Sequence, residues 1–298
     1  MTNTDPSSSE PPQGVGATWL DGAAWRDDEI PPDVARLLLD RGLLLGDGLF
    51  ETVAVRRGRP VLLPQHLLRL ERSAVALGFP LPPNFESEFA QAALDLVELI
   101  PGHALCALRI TVTRGGGTEF GLDPPAEPRP TSIIRLTPVP DGLHSEATAW
   151  IVDWPRTDPA EVLSGHKTTS SMWRIMAHQA ARSHGANMAI LTTIDGDIAE
   201  ADTASIFAVI DGVTVTPPLS RGILAGTVRA FSLRELEASG RPFEERILLR
   251  EDLETASEVF VTSSVSSIRP LRTLQGRELS RETPVSDWLR ERYEALPD

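Results

Sequence analysis

The sequence predicts a mixed α/β protein in two parts, and three features predict it. Residues 48–56 (GLFETVAVR) alternate along a run of β-formers, and residues 65–77 (QHLLRLERSAVAL) carry apolar side chains at helical spacing. A proline-rich stretch, 122–141, then separates this half from a second series of strand and helix pieces. At 298 residues the chain is long enough for each half to bury its own core.

Taken in order, residues 1–16 (MTNTDPSSSEPPQGVG) lack the basic start and apolar stretch of a signal peptide and are expected to be a disordered tail. In 48–56, alternation puts Leu49, Glu51, Val53 and Val55 on one face and Phe50, Thr52 and Ala54 on the other. One face then serves the core and the second is free to line a site. In the helix that follows, His66 and Arg69 are three apart and share a face. Asn84 is the expected N-cap of a helix over 85–100. Strands are expected at 104–113 and 132–137.

The prolines place a division into an N-terminal α/β domain (17–140), a linker (141–147) and a larger C-terminal domain (148–298). In the second part a helix over 172–184 is closed by Gly185. The strand pieces after it are punctuated by Asp195-Gly196 and Asp211-Gly212, dipeptides that favour tight hairpins. A helix at 227–239, a strand at 258–262 and a terminal helix complete the series.

A formal charge of -14 and a pI near 4.9 disfavour nucleic acid or an anionic membrane as partner, because such surfaces repel the chain. No apolar run approaches the roughly 18 residues of a membrane span. The single Cys106 forms no internal disulfide, which favours a reducing, cytoplasmic setting, and its apolar neighbours (104–110) mark it as a core residue. The six histidines show no metal-ligand spacing, no GxSxG elbow is present, and Gly115-Gly116-Gly117 lacks the Lys-Ser/Thr of a P-loop.

Lysine is the unusual residue: Lys167 is the only one. A lysine amine, once desolvated, loses its proton and attacks a carbonyl, whereas a guanidinium stays protonated. Standing alone, Lys167 would be read as a surface residue of an Arg-rich chain. It is accompanied by DRGLLLGDGLFETV (40–53), HLLRL (66–70), GHKTTS (165–170), GDIAEADTASIF (196–207), TPPLSRGILAGTVR (216–229) and EVFVTSSVSSIRPL (258–271). With these six segments in this order, the chain from about Leu39 to Gly276 resembles the class IV (fold-type IV) pyridoxal-phosphate enzymes. These include branched-chain and D-amino acid aminotransferases, (R)-selective amine transaminases and aminodeoxychorismate lyase.

The resemblance implies a fold-type IV architecture, with a barrel-like mixed sheet in the C-terminal part, and pyridoxal 5'-phosphate as cofactor. It makes Lys167 the Schiff-base lysine and the base that moves the substrate proton. Glu200 would hold the pyridine nitrogen protonated, and Arg69 would make a forked contact with the phosphate. Leu224 would pack on the ring, while Gly226, Thr227 and Val228 form a glycine loop opening a helix whose free N–H groups suit a phosphate. Ser205, Ser263 and Ser264 complete the cofactor set. Taken singly, Glu200 reads as a solvated turn residue, Arg69 as a surface residue and the glycine loop as an ordinary capped helix.

For the substrate, an amine or amino acid, the implied lining residues are Phe50, Thr52, Arg114 and Glu119. Thr52 alone is as readily a plain β-former as a proton relay. Met172 stands where branched-chain aminotransferases place a tyrosine, and Ser205 where asparagine is common. Ala54 replaces a basic residue. Glu119 and Gly121 replace the RxH carboxylate trap of D-amino acid aminotransferases, and a glutamate repels a carboxylate. Arg114, Gly115 and Gly117 match the lyase pattern RGxGxRG without its second arginine. The expected reaction is therefore that of 4-amino-4-deoxychorismate lyase, with transamination of D-amino acids or (R)-amines as the alternative. A non-catalytic use of the fold is disfavoured by the joint presence of Lys167, Glu200 and Arg69. The resemblance further implies a homodimer with active sites near the interface.

Overall fold

In a computed structural model of the chain, residues 17–20, 23–26, 29–116, 121–140 and 146–296 are described. The expected tail 1–16, Glu119, and residues 141–145 of the expected linker lie outside them. The first described elements are a hairpin, β1 (Ala17–Leu20) and β2 (Ala23–Arg26), and two short helices, α1 (Pro32–Leu38) and α2 (Arg41–Leu45). Asp40 caps α2 by accepting from the Gly42 N–H at 2.7 Å, and Gly46 closes it at φ 68°.

The alternating run becomes β3 (Gly48–Arg56), followed by β4 (Arg59–Pro60), α3 (Leu63–Ala76), α4 (Phe85–Leu99), β5 (Leu105–Thr113) and β6 (Thr131–Pro138). These four strands form an antiparallel sheet in the order β4-β3-β5-β6. Leu49, Val53 and Val55 pack with Leu67, Leu70, Phe85, Phe89, Leu108, Ile110 and Val112 in one core under α3 and α4. Phe50 and Thr52 are half-buried on the opposite face. Asn84 differs from its expected role: its backbone is left-handed at φ 57°, and no side-chain cap bond reaches α4.

The second sheet has nine strands. Its elements are β7 (Ala147–Thr157), α5 (Met172–Ser183), β8 (Met188–Thr193), β9 (Ile198–Ala201), β10 (Ser205–Ile210) and β11 (Val213–Thr216). Then come α6 (Thr227–Ser239), β12 (Phe243–Glu245), α7 (Arg250–Thr255), β13 (Glu258–Ser263), β14 (Ser267–Leu274), β15 (Arg277–Glu278) and α8 (Pro284–Glu294). The order is β12-β11-β10-β13-β14-β7-β8-β9, with β15 on β14. The parallel β7–β8 pair is joined through α5, as a parallel crossover requires. The β10–β11 hairpin turns on Asp211 (φ 49°) and Gly212 (φ 81°), the two positive angles a tight primed turn needs. Strands β8, β9 and β10 are almost wholly buried on both faces, with Thr192, Thr193, Glu200 and Ser205 as the polar residues among their apolar ones.

Phe89 is fully buried and meets Phe85 edge-on with ring centroids 5.8 Å apart. Phe89→Ala is expected to lower the unfolding free energy by about 3–5 kcal/mol in a denaturant titration, because α4 cannot collapse into the space left behind.

Candidate active site

Among the described residues no strand pairs with one edge of the N-terminal half of β3, and residues 167–169 run along it. The Phe50 N–H donates to the Lys167 carbonyl at 2.9 Å, and the Thr169 N–H donates to the Gly48 carbonyl at 2.9 Å. The Thr169 hydroxyl donates to the Gly46 carbonyl at 2.7 Å. Gly48 permits the approach: a Cβ there would lie 3.0 Å from Thr169 Oγ1 and 3.1 Å from the Val112 carbonyl. This pinning holds the Lys167 amine 4.3 Å from the centre of the Phe50 ring, and the Arg109 guanidinium lies 3.8 Å from the same ring centre.

Burial lowers the Lys167 amine from 10.5 to about 8. The Arg69 and Arg174 cations push the same way, against Glu51 and Glu200. A lysine in this range is substantially neutral, and nucleophilic, at mildly alkaline pH.

Glu200, on β9, is buried and held at both oxygens: Arg174 on α5 donates to Oε1 at 2.6 Å, and the Leu224 N–H donates to Oε2 at 3.1 Å. Arg174 also donates to the Asp202 carbonyl at 3.1 Å.

The other end of the site is built around Glu51, which the β3 pleat sends to the α3 side. Arg69 donates to Glu51 through Nε at 2.8 Å and Nη2 at 2.6 Å, and through Nη1 to the Ala225 carbonyl at 2.9 Å. Three of the five guanidinium hydrogens are thereby engaged, and Nη2 also lies 3.4 Å from His66 Nδ1. His66 Nδ1 lies 2.7 Å from Glu51, and its Nε2 lies 3.0 Å from Ser264 Oγ and 3.2 Å from Thr227 Oγ1. Burial pushes the Glu51 carboxyl up, but Arg69 and His66 together bring it down to about 2.

Thr227 opens α6, whose N-cap Gly226 has no side chain to make a cap bond. Gly226 precedes it because the backbone passes directly over Ser205: a Cβ would stand 2.7 Å from Ser205 Oγ. The start of α6, the hydroxyls of Thr227 and Ser264, and the Arg69 cation form a donor set suited to a phosphate. A neutral-capable lysine and a buried carboxylate stand at the same site. These residues fit pyridoxal phosphate: Lys167 for its aldehyde, Glu200 for its ring nitrogen, and the Arg69–Thr227–Ser264 group for its phosphate.

The remaining expected residues are placed as follows. Thr52 is in register with Arg109 across β3 and β5. Val228 is buried in the first turn of α6, and Ser263 pairs through its backbone with Ser267 in the β13–β14 ladder. Arg114 departs from its expected place at the substrate. It continues the even-numbered row Leu108, Ile110, Val112, which faces α3, so its guanidinium bonds Asp47 at 3.0 Å and the Gly78 carbonyl at 2.9 Å and stacks on Phe79. Arg109, in the odd row, takes the Phe50 side instead. Sequence reasoning missed Arg109, Arg174 and the Glu51–His66 pair. For Arg109 the alternation of 104–113 held the signal, once Arg109 is set opposite Thr52. Arg174 had none, since Glu200 is 26 positions away.

A family model described as amino-transferase class IV matches residues 48–274. The chain belongs to this family. A putative branched-chain-amino-acid aminotransferase of Methanocaldococcus jannaschii is 30% identical over 262 residues, which cover 87% of this chain and 90% of that protein. The structure of a 4-amino-4-deoxychorismate lyase from Pseudomonas aeruginosa is similar at 29% identity and TM-score 0.75, covering 87% of this chain and 94% of that one. The PLP-bound form of a hypothetical aminotransferase from Mycobacterium tuberculosis is similar at 26% identity and TM-score 0.77, covering 94% and 97%. The class IV aminotransferase-family chain is thus a pyridoxal-phosphate-dependent enzyme of fold type IV. No helix among the described residues is long and apolar enough to cross a membrane.

Two outcomes test this geometry. Formation of the yellow cofactor adduct by the cofactor-stripped chain is expected to accelerate as pH rises through about 8, where the Lys167 amine becomes neutral, and to vanish in Lys167→Ala; stopped-flow absorbance reads both. A depressed carboxylate stabilises the fold above its unfolded-state pKa and loses that contribution as pH falls through the folded value. Glu51 should therefore contribute up to about 3 kcal/mol that disappears between pH 4.5 and about 2. Urea unfolding across that window should show a steeper loss in the native chain than in Glu51→Gln.

Proposed function

We propose that this class IV enzyme is a cytoplasmic 4-amino-4-deoxychorismate lyase, which converts a cyclic amine bearing two carboxylates into 4-aminobenzoate and pyruvate, a step towards folate. The observation that carries the reading is a pair of opposed arginines, the first of which shares the Phe50 ring with Lys167. Thr52, Arg109 and Arg135 are in direct register across β3, β5 and β6, on the face that Phe50 shares. Two arginines directly opposite one another repel, and an anion between them relieves the repulsion. Burial also lowers the Arg109 guanidinium below its ordinary range, so a carboxylate there recovers part of that cost. A dicarboxylate matches two such cations better than a simple amine does.

Pyridoxal phosphate, when bound, supplies an aldehyde carbon that takes an amine and a ring that accepts the electron pair released with a proton. Lys167 anchors it and, once exchanged for the substrate amine, takes the proton from the substrate carbon bearing nitrogen. Glu200 holds a proton at the pyridine nitrogen, and Arg174 with the Leu224 N–H keeps that carboxylate aimed. Arg109 orients the substrate so that the departing enolpyruvyl oxygen leaves as the carbocycle becomes aromatic. In this reading Thr52, in register with Arg109, relays a proton to the leaving group.

The second reading is an aminotransferase for D-amino acids or (R)-amines. It is favoured by Arg135 being exposed, which leaves Arg109 as the cation stacked on Phe50 and suits a single carboxylate.

A second copy of the chain is the proposed partner. Leu43, Leu44 and Leu45 on α2 are 46–66% exposed, and Met172, Ile175 and Met176 on α5 are 43–70% exposed. The two helices adjoin where Ser170 and Thr169 bond the Gly46 carbonyl, so the apolar groups lie at neighbouring helix ends.

Incubation with aminodeoxychorismate should release 4-aminobenzoate and pyruvate. Arg109→Met should raise KM for that substrate by about ten- to a hundredfold with a smaller change in kcat, the loss of one charged hydrogen-bond partner. Absence of 4-aminobenzoate, together with amino transfer from D-alanine or an (R)-amine to pyruvate, would replace the lyase by the second reading.

A further inference from the structure

Glu51 and His66 stand behind the phosphate-binding group rather than in it. The Glu51 carboxylate is ionised and only accepts hydrogen bonds, so the hydrogen of His66 facing it is on Nδ1. Burial holds the His66 imidazole below its ordinary range; Glu51 opposes this, and Arg69 and Lys167 add to it. Before a ligand arrives, Nε2 therefore carries a lone pair. It stands 3.0 Å from Ser264 Oγ and 3.2 Å from Thr227 Oγ1, and the two hydroxyl oxygens are 3.5 Å apart. A hydroxyl that donates to Nε2 has only lone pairs to show in other directions.

Phosphate oxygens likewise have only lone pairs. A hydroxyl spent on a neutral His66 thus repels the phosphate it is meant to hold. A hydrogen on Nε2 reverses the chain: the imidazolium donates back, and both hydroxyls turn their hydrogens outward.

We propose that His66, oriented by Glu51, is a positioning residue that takes up one proton from solvent onto Nε2 when a phosphate dianion binds at α6, switching Thr227 and Ser264 from acceptors to donors. The proposal rests on the reading of Arg69, Thr227 and Ser264 as the phosphate group. The charged groups that act on His66 favour it once the dianion is present. Glu51 from β3 and the phosphate stand against Arg69 from α3 and Lys167 from the 165–170 segment. With Glu51, Arg69 and a neutral His66 the wall sums to zero charge, and the added proton makes it cationic toward the dianion.

The test observes the imidazole directly. The full-length chain, labelled with 15N-histidine, is followed by long-range 1H–15N correlation at neutral pH, cofactor-free, saturated with inorganic phosphate, and loaded with pyridoxal phosphate. The expected result is a bare Nε2 in the free chain and hydrogens on both ring nitrogens in the two liganded states. Phosphate bound with Nε2 still bare overturns the switch and leaves the phosphate site standing. In a uniformly 15N-labelled sample, failure of saturating phosphate to shift the Thr227 and Ser264 amides overturns both. In a second measurement, the pH dependence of log Kd for pyridoxal phosphate should be shallower by one proton in His66→Gln, whose amide donates without titrating. For the native chain one such proton weakens binding by about tenfold per pH unit across the switching range. Equal slopes in the two chains would overturn the switch.

Discussion

The site depends on one edge of one strand. From Gly48 to Phe50, β3 has no strand neighbour among the described residues on the side away from β5, and a buried edge of this kind must find hydrogen bonds elsewhere. Residues 167–169 supply them, with two backbone bonds and the Thr169 hydroxyl. The only lysine is thus held by main-chain geometry rather than by its own flexible side chain. Its amine meets Phe50 because adjacent residues on a paired strand alternate faces. Movement of this segment would separate the amine from β9, from α6 and from the aromatic floor at once.

Around that contact the charges are arranged in fixed pairs. Arg69 with Glu51, and Arg174 with Glu200, are buried or nearly so, and such pairs add little net stability because desolvation offsets attraction. Their effect is orientation. Glu51 consumes one edge of the Arg69 guanidinium and leaves the remainder facing the start of α6. Arg174 and the Leu224 N–H fix both oxygens of Glu200. The same cations help hold the Lys167 amine in a range where it reacts, so positions on α3 and α5 tune a nucleophile that neither helix carries.

Much of this was legible in the chain. The alternation of GLFETVAVR assigned a core face and a site face, and the β3 pleat follows it. Helical spacing located α3, α4, α5 and α6 to within a few residues, and Asp211-Gly212 marked its hairpin because only certain residues tolerate positive φ at both turn positions. The terminal hairpin at 17–26 and strand β7 went unread, since β7 includes a proline and the hairpin is too short to show a period. Asn84 shows the limit of local signals: its residue type favours a cap, but the left-handed backbone imposed by the approach to α4 leaves no cap bond.

Residue type and order by themselves determined the family, the identity of the amine and the glycine that opens α6, because each of these follows from a chemical capacity that few other residue types share. Which cations and acids serve them was decided only by the tertiary structure. Arg109 and Arg114 are five apart on one strand run, yet pleating sends the first to Phe50 and the second to Asp47 beneath α3. His66, held by Glu51, meets Ser264 across 198 positions. Pairings at such separations are set by how sheets and helices stack, and stacking depends on the whole packed core rather than on any local run of residues.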